Sequence, residues 1–486
     1  MQKEYKPFHV VLFIAVSLIL LGAVVHLMPS GRQDVLGYEL RFLSEDRLHK
    51  KQKRREVDVS KILAEVDTTF VEAEIEKVSD SMFVHDTINE KRSTFNITEN
   101  DVLLYDENGR KKLIDFFKKL KNASNNKIRI LHYGDSQIEG DRMTGFLRQR
   151  LQSQFGGSGP GFVPAIDVYP TVTYENEYSP NFMRYTNFGG RALESNRYGI
   201  LNSVGRFTPE YPDSVNRDSL EVVNAWIQIA PGKRAYSRAK FYNRIDLHYS
   251  DATEKCLLNI YQNDELVKTD SLIADGEYHV YSYPTANDPQ QVRFEFQSKV
   301  SPNVLGFSLD GISGIQVDNI AMRGSSGTFF GRIDQNLASR IYKEQNAELF
   351  IMQFGGNAVP YINDSTSAQR TVRYFRGQLN TIKKIRPNAA IIVIGPSDMS
   401  VLIEGEYTTY PLLPYYVELM IKATKEIGGA YFDMYEAMGG EDAMVAWVEN
   451  GLASTDHIHF TNKGASIAAQ KFYDALMTAY NKLQKE

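Results

Sequence analysis

The sequence predicts an α/β protein: a three-layer, doubly wound parallel sheet, interrupted by an inserted β-sandwich and preceded by an N-terminal transmembrane helix. Three observations carry this expectation. Apolar strand-like runs alternate with helical patterns over residues 105–165 and again over 313–486, the rhythm of βαβ units. Between them, short runs rich in Tyr, Phe, Val and Ile alternate polar with apolar residues, the period of antiparallel strands. At the start, "VVLFIAVSLILLGAVVHLM" runs from Val10 to Met28 without Asp, Glu, Lys or Arg.

That first run is long enough to cross a bilayer, since a helix rises 1.5 Å per residue and the hydrocarbon core is about 30 Å thick. It is longer than the apolar region of a cleaved leader, and "MPSGRQ" after it is a poor cleavage site, so residues 1–29 read as an uncleaved anchor. Lys3 and Lys6 on one side are matched by Arg32 and Arg41 on the other, so flanking charge does not orient it. Residues 30–104 are charged and poor in Gly, with helical patches such as "VSKILAEVDTTFVEAEIEKV", and read as a stalk. The basic run Lys50, Lys51, Lys53, Arg54 and Arg55 is short and reads as a solvated face of that stalk. Net charge is −5 and the pI about 6.1, so nothing global draws the chain to nucleic acid. One cysteine, Cys256, excludes an internal disulfide and a Cys-based zinc site.

The first α/β segment, 105–165, opens on the helical "KKLIDFFKKLKNAS" and continues into "KIRILHYGDSQIEGDRMTGFLRQRL". Ile128, Ile130 and Leu131 mark a buried strand, and Leu147, Leu151 and Phe155 one face of a helix. Ser136 falls where strand gives way to helix. In an open parallel sheet that is the carboxyl edge, where sites are built. Residues 166–312 hold "RAKFYNRIDLHYS", "CLLNIYQ", "YHVYSY" and "VRFEFQS", the inserted sandwich. The α/β rhythm returns over 313–486 with "GIQVDNIAM", "AELFIMQF", "NAAIIVIG" and "GAYFDM", and with helices between and after them, giving five parallel strands in all.

Partners for Ser136 are expected at the later strand ends. "AMRGSSGTF" places Gly324 and Gly327 in a turn whose N–H groups can face the crevice, and "QFGGNAVP" places Asn357 just beyond two glycines. "STDHIHFTNKG" offers Asp456 and His459, whose spacing lets one short loop supply a carboxylate and the imidazole it orients. The spacing alone is cheap, because Asp46 and His49 repeat it in the stalk. His457 with His459 also reads as a metal pair, though no further ligand cluster accompanies them, and no metal or organic cofactor is expected. Gly-x-Ser-x-Gly, the nucleophile elbow of the α/β-hydrolases, is absent.

Taken in order, "GDS", "GSSG", "GGN" and "DHIH" resemble the four blocks of the SGNH (GDSL) hydrolases. The resemblance implies that Ser136 is the nucleophile, Asp456 and His459 its acid and base, and Ser136, Gly327 and Asn357 the oxyanion hole. The stretch "HYGDSQIEGDRMTGFLRQRLQSQFGGSGPGF" is similar, more narrowly, to bacterial peptidoglycan O-acetylesterases, which also carry a carbohydrate-module-like sandwich between the first two blocks. Ala358 departs from that pattern, standing where many members have an acidic residue. What the resemblance implies is a serine esterase acting on an acetylated envelope glycan, with the catalytic domain on the extracytoplasmic, periplasmic side of the cytoplasmic (inner) membrane. An O-acetyltransferase, a lipase or aryl-esterase, and a glycan-binding surface protein with a vestigial triad remain as other readings.

Overall fold

The computed structural model describes residues 102–285 and 291–485, with shorter stretches at 12–17, 23, 32–35, 38–41 and 57–60. It divides into two units, residues 1–56 and 57–486. In the first unit Leu12–Ser17 is helical, and Arg32–Val35 pairs antiparallel with Tyr38–Arg41. Most of the expected anchor, 10–28, lies outside the described residues, and among those described no helix is long and apolar enough to cross a membrane. Residues 61–101 of the expected stalk also lie outside them.

In the second unit the α/β layers begin earlier than residue 105. Val59 is buried against the main apolar core, and strand β1 (Leu103–Tyr105) belongs to the sheet. Helix α1 (Glu107–Lys121) is capped by Asp106, whose side chain accepts from Gly109 N–H at 2.8 Å. Lys118, Lys119 and Lys121 lie in its last turn, where cations suit the helix dipole. It buries Leu113, Phe116, Phe117 and Leu120, the i, i+3, i+4, i+7 stripe that the sequence shows. Strand β2 (Lys127–Gly134) follows, buried along nearly all its length, and then helix α2 (Thr144–Phe155).

The inserted sandwich starts at β3 (Gly161–Val163), β4 (Tyr174–Tyr178), β5 (Met183–Thr186) and β6 (Ser203–Arg206). It continues through β7 (Val223–Pro231), β8 (Arg244–Ser250), β9 (Cys256–Gln262) and β10 (Glu265–Leu272). The last strands are β11 (His279–Pro284), β12 (Val292–Ser298) and β13 (Asn303–Asp310). One antiparallel sheet runs β11-β8-β13-β6-β5 with β3 beside β13, the other β10-β9-β12-β7-β4. In β12 every second residue from Val292 is buried, so Phe294 and Phe296 meet Leu247, Val304 and Phe307 of the facing sheet. Alternation in "VRFEFQS" is thus the direct cause of the two-layer packing.

The chain then re-enters the parallel sheet with β14 (Gly314–Ala321), α3 (Gln335–Glu344), β15 (Ala347–Gln353), α4 (Ser365–Ile385) and β16 (Ala390–Ile394). A hairpin of β17 (Ser400–Ile403) and β18 (Glu406–Thr409) precedes α5 (Leu413–Glu426) and β19 (Ala430–Phe432). Helices α6 (Met434–Ala437), α7 (Ala443–Glu449) and α8 (Asn462–Leu483) finish it. The sheet order is β14-β2-β15-β16-β19-β1, the first five parallel and β1 antiparallel at the edge. That edge strand is too short to show a period in the sequence. Ile392 and Ile394 point into one apolar layer with α8, and Ile391 and Val393 into the other with α4, which makes three layers.

Charge fixes the sandwich to this sheet. Arg129 of β2, fully buried, pairs with Asp310 of β13 and with Asp318 of β14, the latter at 2.5 Å. Lys127 reaches Asp310 at 3.0 Å, and Asp318 accepts from Phe162 N–H at 2.8 Å.

Candidate active site

Strand β2 ends at Gly134, and the chain turns into a short 3-10 segment, Ser136–Asp141, capped by Asp135, which accepts from Gln137 N–H at 3.0 Å. This presents Ser136 at the carboxyl edge, at the point where the sheet is flanked by β14 on one side and β15 on the other. Parallel neighbours bring their own following loops to the same edge.

The loop between α7 and α8 supplies the imidazole. Its shape is set by Ser454 N–H donating to the His459 carbonyl at 2.8 Å and by His457 N–H donating to the Ser454 carbonyl at 3.0 Å. Asp456 Oδ1 accepts from the N–H groups of Ile458 and His459 at 2.9 and 3.0 Å, which leaves Oδ2 aimed at the ring. His459 Nδ1 lies 2.7 Å from Asp456 Oδ2, and His459 Nε2 lies 2.8 Å from Ser136 Oγ. The three side chains form one unbroken relay, although Ser136 and His459 are 323 residues apart in sequence. Burial pushes the Asp456 carboxyl up, but hydrogen bonds from the His459 ring and the two N–H groups outweigh it and hold it below the usual range. With side-chain exposures of 35% for His459 and 46% for Asp456, the relay is open to a substrate.

His457 is placed differently. Its ring is buried and stacks on Tyr407 of the β17–β18 hairpin, centroids 3.7 Å apart, while its carbonyl accepts from Ser400 N–H at 3.2 Å. It braces the loop against the hairpin, and the two histidines face different neighbours.

Asn357 follows Gly355, whose φ of +129° lies where side chains are strained and where a Cβ would press on Pro396. The turn carries the Asn357 amide to Asp135 Oδ2 at 3.2 Å and to the Ser325 carbonyl at 3.0 Å. Asp135 is 4% exposed, and burial pushes its carboxyl up to about 6 against the hydrogen bond from Gln137 N–H and the nearby His459. Gly327, expected in the oxyanion hole, is held by contacts of its own. Its N–H donates to Ser325 Oγ at 3.1 Å, and its φ of +72° serves packing, since a Cβ there would strike the Phe354 ring at 2.8 Å. Gly324 lines the cleft instead, and neither its N–H nor that of Ser136 has an acceptor among the described residues.

Two positioning residues escaped sequence reasoning. Arg142 Nη2 donates to the Ser136 carbonyl at 2.6 Å and Nη1 to the Phe460 carbonyl at 2.8 Å, joining the serine turn to the histidine loop. Gln137 repeats the link, its Nε2 donating to the Ile458 carbonyl at 2.8 Å and its Oε1 accepting from Phe460 N–H at 3.3 Å. Both sit inside "GDSQIEGDR", but their partners are known only once the fold is. The cleft encloses about 290 Å³, and Tyr361, 78% exposed, stands at its mouth.

No family model matches the chain, and no curated protein matches it. Among solved structures it is similar to a peptidoglycan O-acetylesterase at 18% identity and a TM-score of 0.61, over 78% of this chain and 99% of that one. The acetyl xylan esterase AlAXEase (13% identity, 33% and 81% of the two chains, TM-score 0.24) aligns too loosely to bear on the fold. So does a family two carbohydrate esterase from Clostridium thermocellum (9% identity, 53% and 92%, TM-score 0.23). The likeness to that solved peptidoglycan O-acetylesterase is one of fold, over nearly the whole of its chain.

Proposed function

We propose that the protein is a serine esterase that removes O-acetyl groups from a cell-envelope carbohydrate, with peptidoglycan as the substrate. The observation that carries this reading is the relay Asp456–His459–Ser136 with its 2.7 and 2.8 Å links. His459 Nε2 takes the Ser136 proton as Oγ attacks the acetyl carbonyl, while Asp456 holds the ring in the tautomer that leaves Nε2 free to accept. The proton passes to the sugar oxygen as it leaves, and water then attacks the acetyl-Ser136 ester by the same route.

The oxyanion is served by the N–H groups of Ser136 and Gly324, the latter in place of Gly327, and by the Asn357 amide. Asn357 exchanges its longer, 3.2 Å contact to Asp135 for the developing oxyanion, one anionic acceptor for another. Tyr361 at the mouth offers a ring face to a sugar.

The peptidoglycan assignment draws on the fold likeness and on the resemblance of the Ser136 stretch. We place the catalytic unit outside the cytoplasmic membrane, held by residues 10–28. Acetate release from O-acetylated peptidoglycan, measured beside acetylated xylan, tests the substrate: faster release from peptidoglycan supports it, and release from xylan alone overturns it. An alkaline phosphatase fusion after about residue 60 should be active, whereas an inactive fusion contradicts the placement.

A further inference from the structure

A second opening lies beside the catalytic cleft, between the sandwich and the sheet. Gly140, Asp141 and Ala321 line it on the sheet side, and Asp167, Tyr169 and Arg184 on the sandwich side. Residues lining the two openings are close neighbours along the chain. Gly140 lies four residues beyond Ser136, and Glu139 pairs with Arg323, the neighbour of the cleft-lining Gly324. Arg323 also lies over the Tyr169 ring at 4.4 Å, so the pair stands between residues that line the two openings.

Arginines nearby are matched by acceptors. Arg148 pairs with Asp141, Arg129 with Asp310 and Asp318, and Arg206 donates to Asn303 Oδ1 at 2.5 Å. Arg184, half-buried on β5, has no ion pair among the described residues. Among the described residues its Nε is buried without a hydrogen-bond partner, and the Tyr169 phenol lies near enough to act on its charge. Burial pulls its pKa down. Asp167 shares the cavity, but its carboxylate accepts from Tyr174 Oη at 2.8 Å. An unneutralised guanidinium facing a cavity calls for an anion with planar, bidentate geometry. The cavity's volume of about 80 Å³, against about 290 Å³ for the catalytic cleft, leaves room for a small group.

We infer that Arg184 makes this cavity an anion subsite, taking a carboxylate of the polymer whose acetyl group lies at Ser136. The inference rests on the esterase reading. It adds that the preferred substrate is an acidic glycan, its charge borne by a uronic acid or by an attached peptide.

The test uses Ser136→Ala protein, so that ligands survive, and compares Arg184 with Arg184→Gln and Arg184→Lys. The probes are soluble O-acetylated peptidoglycan fragments, the same fragments with carboxyls converted to amides, and acetylated oligogalacturonate. Calorimetric Kd should rise about tenfold on Arg184→Gln for whichever carboxylate-bearing probe fits the subsite, less on Arg184→Lys, and stay unchanged for the amidated fragments. That last binding also reports that the variant is folded. With Arg184 intact, amidation alone should weaken binding by the same factor, which keeps the test open should Arg184→Gln not fold. The probe that responds separates peptide from uronate. Equal weakening on charged and amidated probes, or none on either acid, overturns the inference. Charge-dependent binding by a protein that releases no acetate from any glycan would instead overturn the esterase reading and leave the subsite standing.

Discussion

Strand β2 carries a polar cluster at each end, and the two are built on opposite plans. Near its start Arg129 is sealed from water between Asp310 and Asp318, and every charge there is answered by another. Beyond its end Ser136, His459 and Asp456 stand half-open to solvent in a single file, each group spoken to by the next. A closed cluster with opposing charges resists change, because removing one member strands the others in a low dielectric. An open file contributes little to folding but leaves a nucleophile and a proton carrier within reach of a substrate. One strand thus joins the insert at one end and presents the proposed nucleophile at the other.

The comparison breaks most easily at Ser136. Ser136→Ala should lower acetate release by about 10⁴-fold or more and leave the thermal midpoint within a degree or two, because a half-exposed turn hydroxyl packs against little. His459→Ala should be as damaging, and the double variant hardly worse, since the relay acts as one unit. Additive losses would show that the two side chains act separately.

At the other end the effects should invert. Arg129→Ala should destabilise the second unit by about 3–5 kcal/mol in denaturant titration, because two carboxylates lose their buried counter-charge. Activity per folded molecule should change little. A stable variant with collapsed activity would reverse the roles assigned to the two clusters.

Asn357→Ala should cost about 10²–10³ in kcat, or about 3 to 4 kcal/mol of transition-state stabilisation, with KM little changed. A loss confined to KM would remove Asn357 from the oxyanion hole.

Asp135 belongs to the catalytic end yet is buried like the other, and its effect should be smallest and depend on pH. Its folded pKa of about 6 lies above the unfolded value near 3.8, so the folded state favours the proton. The stability this gives is complete below the unfolded value and is lost as pH rises through 6. Asp135→Asn should therefore gain on the wild type between pH 4 and 8, by at most about 3 kcal/mol. A stability difference that is flat over that range would contradict the buried, raised carboxyl.

Much of this was legible in the sequence because it rests on local periods. Alternation in "VRFEFQS" and unbroken apolar runs such as "AIIVI" are imposed by how many faces a strand buries, so they survive without knowledge of the fold. The relay residues were legible because "GDS" and "DHIH" each close a strand end or open a helix. The rest depends on contacts between distant segments. Arg142 and Gln137 hold loops more than 300 residues away, and nothing in "GDSQIEGDR" names those partners. The β1 edge strand has three residues, too few for a period. Gly324 and Gly327 are indistinguishable as letters. Only the hydrogen bond to Ser325 and the Phe354 ring against Gly327 separate their duties.

The central claim is that Ser136 Oγ carries the acetyl group between substrate and water. Rapid acid quench of the enzyme turning over p-nitrophenyl acetate, followed by peptide mapping in a mass spectrometer, reads that bond directly. One acetyl mass should appear on the peptide holding Ser136, fragment to that residue, and vanish in Ser136→Ala. An acetyl group on another residue, or sustained turnover by Ser136→Ala, would contradict the claim.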